Sequence, residues 1–170
     1  LANAKVGTIV PLYREENKYY IDESNLDNLV FLDNGTQFVI TSEKSGYMHL
    51  YLYDLNGRER QAITKGNFDI IDFYGYDPVR KLFYYSSYEE SPLEKYIYSI
   101  NEKGLKKKLT PVKGWNEASF SKNFNYYINV VSNTDTPPVT ALYNAKGKQV
   151  RVLEDNKAVK EAVKAYNLAK

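Results

Sequence analysis

Short runs of alternating apolar and polar residues recur along most of the chain, which is the pattern of strands with one buried face. Between Leu50 and Leu55, for example, two leucines and an aspartate alternate with two tyrosines and a leucine. Turn sequences such as Asn56-Gly57 separate these runs, and they favour tight hairpins. The pattern therefore predicts many short antiparallel strands.

The runs repeat with a period of about 45 residues, which is the length of a four-stranded propeller blade. Five classes of position recur at this spacing: Ser42, Ser87 and Ser132; Tyr53, Tyr98 and Tyr143; Phe38, Tyr84 and Tyr127; Ile63, Leu109 and Leu153; Gly57, Gly104 and Gly147. We therefore predict three propeller blades, at about residues 26–65, 69–111 and 116–155.

Each blade is predicted to contain four strands, numbered outward from the propeller axis. The predicted strands are Leu26–Leu32, Phe38–Ser42, Leu50–Leu55 and Arg60–Thr64; Ile70–Tyr74, Lys81–Ser87, Glu94–Ile100 and Lys106–Thr110; Glu117–Phe120, Asn125–Ser132, Val139–Tyr143 and Gln149–Leu153. Asp33-Asn34-Gly35 is expected to form a hairpin turn. Pro92 and Pro137-Pro138 are expected in loops between the second and third strands.

The two ends of the chain differ from the repeats. Residues 1–20 resemble half a blade, because Asn3–Val10 matches Asn144–Val150 closely. At the other end, the apolar spacing changes to that of an amphipathic helix within residues 157–170, with Asp155 and Asn156 as capping residues. The predicted fold is all-β: a partial β-propeller of about three four-stranded antiparallel blades plus a half blade, covering residues 1–156, with a C-terminal helix.

Three and a half blades cannot close a ring, because closed propellers have about 4–8 blades. The chain is therefore expected to be a piece of a larger ring, or to assemble with another copy. Residue 1 is Leu rather than Met, which favours a longer precursor. An open piece leaves blade faces uncovered, so we expect self-association.

The composition excludes several classes of protein. Lys and Arg number 23 against 21 Asp and Glu, and this balance argues against nucleic acid or an anionic membrane as the main partner. No apolar run approaches the roughly 18 residues of a membrane span. The 17 tyrosines and 7 phenylalanines favour strands, and we expect the tyrosine rings to lie between blades with their hydroxyls hydrogen-bonded.

The sequence contains few candidate catalytic groups. No G-x-S-x-G nucleophile motif is present, and the only histidine, His49, falls in a predicted strand, where we expect a structural role. Cysteine is absent, and no motif of a metal site occurs. We therefore predict no catalytic residues, no metal and no cofactor. The Lys106-Lys107-Lys108 run has acidic neighbours such as Glu102 and is interpreted as a solvated edge.

Several motifs together resemble the late propeller blades of the dipeptidyl peptidase IV family, over about residues 28–160. The most specific are Ser42-Glu43-Lys44-Ser45-Gly46-Tyr47-Met48-His49-Leu50-Tyr51, Ile63-Thr64-Lys65-Gly66 and Leu153-Glu154-Asp155-Asn156. The resemblance implies a parent protein with an eight-bladed propeller stacked on an α/β-hydrolase domain that carries a Ser, Asp, His triad. It also implies release of dipeptides from N-termini with Pro or Ala second, and export to the periplasm or cell envelope.

Under this resemblance, the partners of the chain are the rest of its propeller, the hydrolase domain that residues 157–170 lead toward, and a peptide substrate. Family members capture the substrate amine with a glutamate pair, and two pairs here have suitable chemistry. Glu15-Glu16 ends a predicted strand and Glu89-Glu90 lies in a predicted loop after Tyr88. We interpret both pairs as exposed loop charges. The substrate-approaching loop would fall near Tyr20–Leu26, where no residue matches the vertebrate pattern.

Two functions remain open from the sequence. The first is a non-catalytic propeller portion of a dipeptidyl peptidase IV-like serine exopeptidase that gates substrate access. The alternative is a free-standing, propeller-like protein-binding module of the cell envelope. The reading frame beyond Lys170 separates them, since the first requires a downstream nucleophile motif followed by Asp and His.

Overall fold

The computed structural model describes residues 1–22, 28–32, 35–164 and 166. Within them the chain is nearly all-β. Its strands are β1 (Val30–Phe31), β2 (Gln37–Ser42), β3 (His49–Asp54), β4 (Glu59–Ala62), β5 (Ile70–Asp77), β6 (Leu82–Ser91), β7 (Glu94–Ile100), β8 (Lys106–Lys108), β9 (Trp115–Phe120), β10 (Tyr126–Asn133), β11 (Thr136–Asn144) and β12 (Gln149–Glu154). One helix, α1 (Lys157–Val163), follows them.

The strands pair in groups of four with sequential antiparallel order, as the repeat predicts. Strands β1 to β4 form one sheet, which we call the first blade. Strands β5 to β8 form the second blade and β9 to β12 the third. A single parallel bridge from Lys95 to Trp115 joins these two into one eight-stranded sheet. The sheets do not close, and the fold is a partial β-propeller.

Apolar clusters fill the spaces between neighbouring blades. One cluster joins the first and second blades and includes Leu50, Leu52 and Phe83. Another joins the second and third blades around Tyr84 and Tyr127. Burial of such faces is the main stabilising force of a stacked repeat.

A stacked aromatic pair recurs across the second and third strands of every blade. The ring centres are 5.5 Å apart for Phe38 and Tyr53, 5.4 Å for Tyr85 and Tyr98, and 5.1 Å for Tyr127 and Tyr143. The register pairs Tyr98 with Tyr85. Placing Tyr84 in the repeat was therefore wrong by one residue, and a shift of one residue changes the face of the sheet. Tyr84 instead stacks on Phe124 at the third blade.

The turn after the third strand of two blades packs closely on the preceding unit. A side chain at Gly57 would lie 2.6 Å from the carbonyl oxygen of Leu12, and one at Gly147 would lie 2.6 Å from that of Leu109. Both glycines have positive φ, 75° and 78°, so the turn requires glycine for its backbone and for the close approach.

Two expectations about breakers and caps need correction. Pro92 lies in the β6–β7 turn as predicted, but Pro137 and Pro138 lie inside β11 rather than in a loop. The β10–β11 register is irregular there, so neither proline removes a needed ladder bond. Asn156 is at the N-cap of α1 but has a left-handed backbone, φ 49°, and makes no side-chain cap. Its amide donates to the Pro138 carbonyl instead, at 2.6 Å.

The N-terminal segment forms a hairpin with a single antiparallel bridge between Ala2 and Ile9. Leu12 and Tyr13 then pack against Phe38 and Tyr53 of the first blade, as a preceding blade would. Part of the predicted Leu26–Leu32 strand and part of the turn at Asp33-Asn34 lie outside the described residues. No helix among the described residues has the length and apolarity that crossing a membrane requires.

Candidate functional site

Strand and loop residues of the first and second blades meet the start of β9 around a cavity of about 380 Å³. We call it the junction cavity. Its lining combines carboxylates with aromatic and apolar side chains: Glu43, Met48, Asp69, Phe73, Tyr88 and Trp115. Such a lining suits noncovalent contact with a ligand that has both apolar and polar groups.

Asp69 is held rigidly at the wall of the junction cavity. One carboxylate oxygen accepts the Met48 backbone N–H at 2.6 Å, and the other accepts the Tyr88 hydroxyl at 2.8 Å. The hydrogen bond to Asp69, together with burial, raises the pKa of Tyr88. Tyr88 therefore stays neutral and keeps donating at physiological pH.

A buried lysine joins the second and third blades beside this cavity. The Lys95 side chain is only 6% exposed, and its Nζ lies 3.1 Å from Asp72 and 3.6 Å from Glu117. It also lies 5.0 Å from the centre of the Trp115 ring. A buried charge persists only when it is paired in this way.

Asp72 receives several donors in addition to Lys95. Ser86 donates at 2.6 Å and Tyr74 at 3.3 Å. Burial by itself would raise the pKa of Asp72, but the Ser86 hydrogen bond and the Lys95 charge outweigh it, so the pKa is lowered. Asp72 is therefore a stable carboxylate.

The first glutamate pair is divided between two environments. Glu15 is half-buried and accepts hydrogen bonds from Tyr13, at 2.6 Å, and from Ser42, at 2.7 Å. Glu16 is exposed and pairs with Arg14 at 2.5 Å. The interpretation as exposed charges is therefore correct for Glu16 but not for Glu15, whose carboxylate links the N-terminal segment to β2.

The second pair was wrongly placed in a loop, because Glu89 and Glu90 lie within β6. The side chain of Glu89 is only 9% exposed and pairs with Lys106 at 2.6 Å. Glu90 pairs with Lys108 at 2.8 Å and accepts from Tyr98 at 2.9 Å. The Lys108 hydrogen bond lowers the pKa of Glu90. Strand β6 continues past its predicted end, because the ion pairs with β8 offset the free-energy cost of placing two carboxylates within the sheet.

His49 lies in β3 with both ring nitrogens engaged. Its Nδ1 is 3.1 Å from the Thr64 hydroxyl, and its Nε2 is 3.1 Å from the Gly66 carbonyl oxygen. The residue is 3% exposed, and its ring packs edge-on against Phe68. These contacts join β3 to the end of the first blade, and they leave neither nitrogen free for a substrate.

Two serine hydroxyls among the described residues contact carboxylates, Ser42 with Glu15 and Ser86 with Asp72. A serine nucleophile needs a histidine base within hydrogen-bond reach, and the hydroxyl that contacts His49 belongs to Thr64. Within the described ranges, no group of three or more His, Cys, Asp or Glu side chains could hold a metal ion. What the arrangement offers chemically is binding through fixed carboxylates and aromatic faces.

Sequence analysis did not predict the junction cavity, although the Ser42–Tyr51 motif contains two of its lining residues, Glu43 and Met48. The sequence spacing around Asp69 and Asp72 does not mark either residue as functional, because their hydrogen-bond partners come from other strands and loops. Lys95 did carry a signal, since strict alternation in β7 places it on the face of Ile97 and Ser99. A lysine on the buried face of a predicted strand indicates an internal ion pair.

Comparison with known proteins agrees with this architecture. Residues 1–138 match the family model described as the dipeptidyl peptidase IV (DPP IV) N-terminal region. The chain belongs to this family.

Curated relatives and solved structures give the same result. The chain is 31% identical over 157 residues to a probable dipeptidyl peptidase 4 of Aspergillus flavus, a match that covers 84% of this chain and 20% of that protein. It is 41% identical to the crystal structure of Porphyromonas gingivalis dipeptidyl peptidase 4, with a TM-score of 0.85, covering 92% of this chain and 22% of that one.

A putative dipeptidyl aminopeptidase IV from Bacteroides ovatus shares the fold, with a TM-score of 0.64 at 23% identity over 75% of this chain and 21% of that one. The chain therefore spans about a fifth of the length of the relatives that it matches.

Proposed function

We propose that this chain is a non-catalytic propeller portion of a dipeptidyl peptidase IV-like serine exopeptidase, which lines the route to the active site and restricts access to it. The observation that carries the proposal is the match to P. gingivalis dipeptidyl peptidase 4, at 41% identity with a TM-score of 0.85 over 92% of this chain. The parent would release N-terminal X-Pro or X-Ala dipeptides in the periplasm or cell envelope.

The chemistry of the residues supports a non-catalytic role. The 170 residues contain no G-x-S-x-G motif, which a hydrolase of this class needs to project its nucleophile. The single histidine is committed to Thr64 and Gly66. Catalysis by the parent would therefore depend on groups outside this chain.

The construction of the blade junctions supports a role as a wall. Lys95 joins β7 to Asp72 on β5 and to Glu117 on β9, so the innermost strands of two blades are held at a fixed separation. A propeller that restricts access to an active site must keep the distance between its blades constant while substrates pass. The fixed Asp69 carboxylate and the aromatic side chains at the junction cavity would contact peptide passing along that wall.

Assay of the purified chain with Gly-Pro-p-nitroanilide tests the absence of catalysis. We expect no hydrolysis above the buffer rate, while the full-length gene product, with its serine nucleophile intact, hydrolyses the substrate. Turnover by the 170-residue chain that survives repurification would overturn the proposal. So would a reading frame without a nucleophile motif after Lys170.

The gating role is tested in the full-length protein. Lys95→Ala removes the cation that holds β5, β7 and β9 together, and Lys122→Ala removes an exposed lysine from a turn as a matched control. We expect Lys95→Ala to raise kcat/KM for long polypeptides relative to Gly-Pro-p-nitroanilide, and the control to leave this ratio unchanged. Equal ratios in both variants would contradict gating by this wall.

A further inference from the structure

The junction cavity is lined by the first strands of all three blades. Asn28 precedes β1, Ile71 and Phe73 belong to β5, and Trp115 is the first residue of β9. Propeller blades are arranged around a central channel, and their first strands lie nearest to it. The cavity therefore lies on the channel side of the blades. Its volume of about 380 Å³ falls within the range of about 300–1,000 Å³ that is usual for ligand pockets.

Three aromatic side chains line the cavity, Phe73, Tyr88 and Trp115. Trp115 is 41% exposed, so a ligand can reach its indole ring. The ring already accepts one cation, because the Nζ of Lys95 lies 5.0 Å from its centre. Aromatic faces attract cations, and tryptophan attracts them most strongly. The lining therefore suits a side chain with an apolar stem and a positively charged end.

The charge of the lining is negative. Among the described residues that line the cavity, Glu43 and Asp69 are acidic and none is lysine, arginine or histidine. The two groups that donate to Asp69, the Met48 N–H and the Tyr88 hydroxyl, are both neutral, so they leave its charge in place. A carboxylate has about four acceptor positions, and two donors therefore do not saturate it.

Glu43 supplies a second carboxylate at the mouth of the cavity. It is exposed, and it forms no ion pair with any residue of the described ranges. Its acceptor positions are therefore open to a ligand.

The nearby ammonium of Lys95 does not reverse this charge. Lys95 is paired with two carboxylates, Asp72 at 3.1 Å and Glu117 at 3.6 Å. The Trp115 indole N–H also donates to Glu117, at 3.2 Å, which holds the ring in place beside the ion pairs. Two acids against one base leave the surroundings of the ring negative, so an entering cation is attracted.

We propose that the junction cavity is a specificity site for a basic side chain, arginine or lysine, of a substrate peptide. This inference rests on the proposed function, because it names the kind of peptide that this part of the wall favours. The charged end of the side chain pairs with Asp69 and Glu43, and the stem lies along Phe73 and Trp115. Charge-assisted hydrogen bonds are about twice as strong as neutral ones, so neutral side chains bind more weakly.

Titration of the 170-residue chain with acetyl-Gly-Arg-Gly-amide, at constant ionic strength, tests the site. Trp115 is the only tryptophan of the chain, so a saturable change in tryptophan fluorescence reports binding at this cavity. The matched probe is acetyl-Gly-citrulline-Gly-amide, which has nearly the same shape and no charge. We expect the arginine peptide to bind about tenfold more tightly than the citrulline peptide. Equal affinities, or a change that does not saturate, would overturn the proposal.

Three variants identify the groups that bind. Asp69→Asn should weaken binding of the arginine peptide about tenfold, and Glu43→Gln about threefold because this carboxylate is exposed. Neither should change the affinity for the citrulline peptide. Glu102→Gln removes an exposed carboxylate from the β7–β8 turn and should have no effect. Equal effects of Glu43→Gln and Glu102→Gln would contradict the site, and Glu43 is exposed, so its replacement leaves the fold intact.

The binding assay fails independently of the proposed function, since both probes are blocked at the amino terminus and require no hydrolysis. A chain that does not distinguish the two peptides, while the full-length protein hydrolyses Gly-Pro-p-nitroanilide, would overturn this inference alone. Selective binding of the arginine peptide by a chain whose reading frame lacks a nucleophile motif would support the basic side-chain site and overturn the proposed function instead.

Discussion

Asp72 shows how a single charged residue is stabilised at the junction between two blades. Its carboxylate accepts hydrogen bonds from Ser86, Tyr74 and Lys95. Asp72 is the third residue of β5. The lysine it binds is one of the least exposed charged side chains of the structure. Ion pairs in such places are maintained by several donors rather than by one short contact.

The lowered pKa of Asp72 predicts a dependence of stability on pH. Its folded-state pKa lies below the unfolded value of about 3.9. The stabilisation is therefore fully present above that pH, and it is lost as the pH falls through the folded-state pKa. Asp72→Asn should flatten the dependence of the unfolding free energy on pH in this acid range, as measured by urea denaturation.

Asp135→Asn is the matched control for this effect, since Asp135 lies in the β10–β11 turn. We expect its pH profile to follow that of the unaltered chain. If Asp72→Asn gave the same profile as well, the ion pair with Lys95 would not contribute to folding.

A second prediction for a single residue concerns His49. Replacing it with alanine deletes both hydrogen bonds to the end of the first blade and leaves a cavity against Phe68. We expect His49→Ala to lower the unfolding free energy by about 2–4 kcal/mol. Tyr47→Ala, at a neighbouring residue that is 38% exposed, should cost clearly less. A loss below about 0.5 kcal/mol for His49→Ala would contradict a structural role.

At the scale of elements, ion pairs join the second-strand side to the fourth strand in each of the first two blades, but the positions of the acid and the lysine are exchanged. In the first blade a cation, Lys44, follows the second strand and pairs with Glu59 on the fourth. In the second blade the acids Glu89 and Glu90 are on the second strand, and Lys106 and Lys108 are on the fourth.

In both blades the lysines lie over the tyrosines of the third strand, Lys44 at 4.0 Å from the centre of Tyr51 and Lys108 at 3.9 Å from that of Tyr96. The third blade has a neutral version, in which Tyr143 donates to Gln149 at 3.2 Å. Whichever strand supplies the lysine, it is the ammonium group that lies over the tyrosine ring, as a cation–π contact requires.

This symmetry predicts that the charges of the first blade are exchangeable. Lys44→Glu and Glu59→Lys should each destabilise the chain, because each places two like charges together. The double variant should recover part of the loss, with a coupling energy of about 0.5–1 kcal/mol for this partly exposed pair. A double-mutant cycle in urea measures it, and purely additive losses would show that the two side chains do not interact.

The sequence predicts the elements well because the alternation within strands is a local property. Strand β7 was predicted at its observed bounds, Glu94–Ile100. The wrong strand bounds occur where contacts between residues distant in sequence determine whether a segment is a strand. Glu89 and Glu90 were interpreted as loop charges because the lysines of β8, which make them acceptable within a strand, are remote in sequence. Pro137 and Pro138 resemble a loop for the same reason, since only the β10 register tolerates them.

The candidate site is less predictable than the fold. Asp69, Tyr88 and Trp115 come from three separate stretches of chain, and their convergence depends on how two blades are rotated against each other. The hairpin of the second blade likewise extends past Tyr98 by two additional residue pairs, Ser99 with Lys107 and Ile100 with Lys106. Neither rotation nor register is encoded by the period of about 45 residues that reveals the blades.

For the whole molecule, the outer face of the third blade is the surface that most favours self-association. Tyr126 is 50% exposed and Ile128 is 39% exposed on β10. Ile128 pairs with Leu142 on β11, so the apolar surface continues across the sheet. Contiguous apolar surface of this kind is normally covered in a soluble protein, and a second copy of this chain is the occupant we propose.

Sedimentation velocity over a range of concentrations tests this proposal. We expect the apparent mass to rise with concentration, and Ile128→Lys to shift the chain toward the monomer by placing a charge in the interface. Val79→Lys, at an exposed position in the β5–β6 turn, is the control. A single monomeric species at all concentrations would exclude self-association by this face.

The lone backbone bridge between Lys95 and Trp115 has a consequence for how the chain opens. It connects the second and third blades through main-chain atoms, including the hydrogen bond from the Lys95 N–H to the Gly114 carbonyl at 3.1 Å. The first and second blades are joined in the same way, by the hydrogen bond from the Ile70 N–H to the Met48 carbonyl oxygen at 3.0 Å. Amide protons of the buried strands of all three blades should therefore exchange with deuterium as one cooperative block, and earlier, independent exchange of β2 and β3 would show that these main-chain links do not couple the blades.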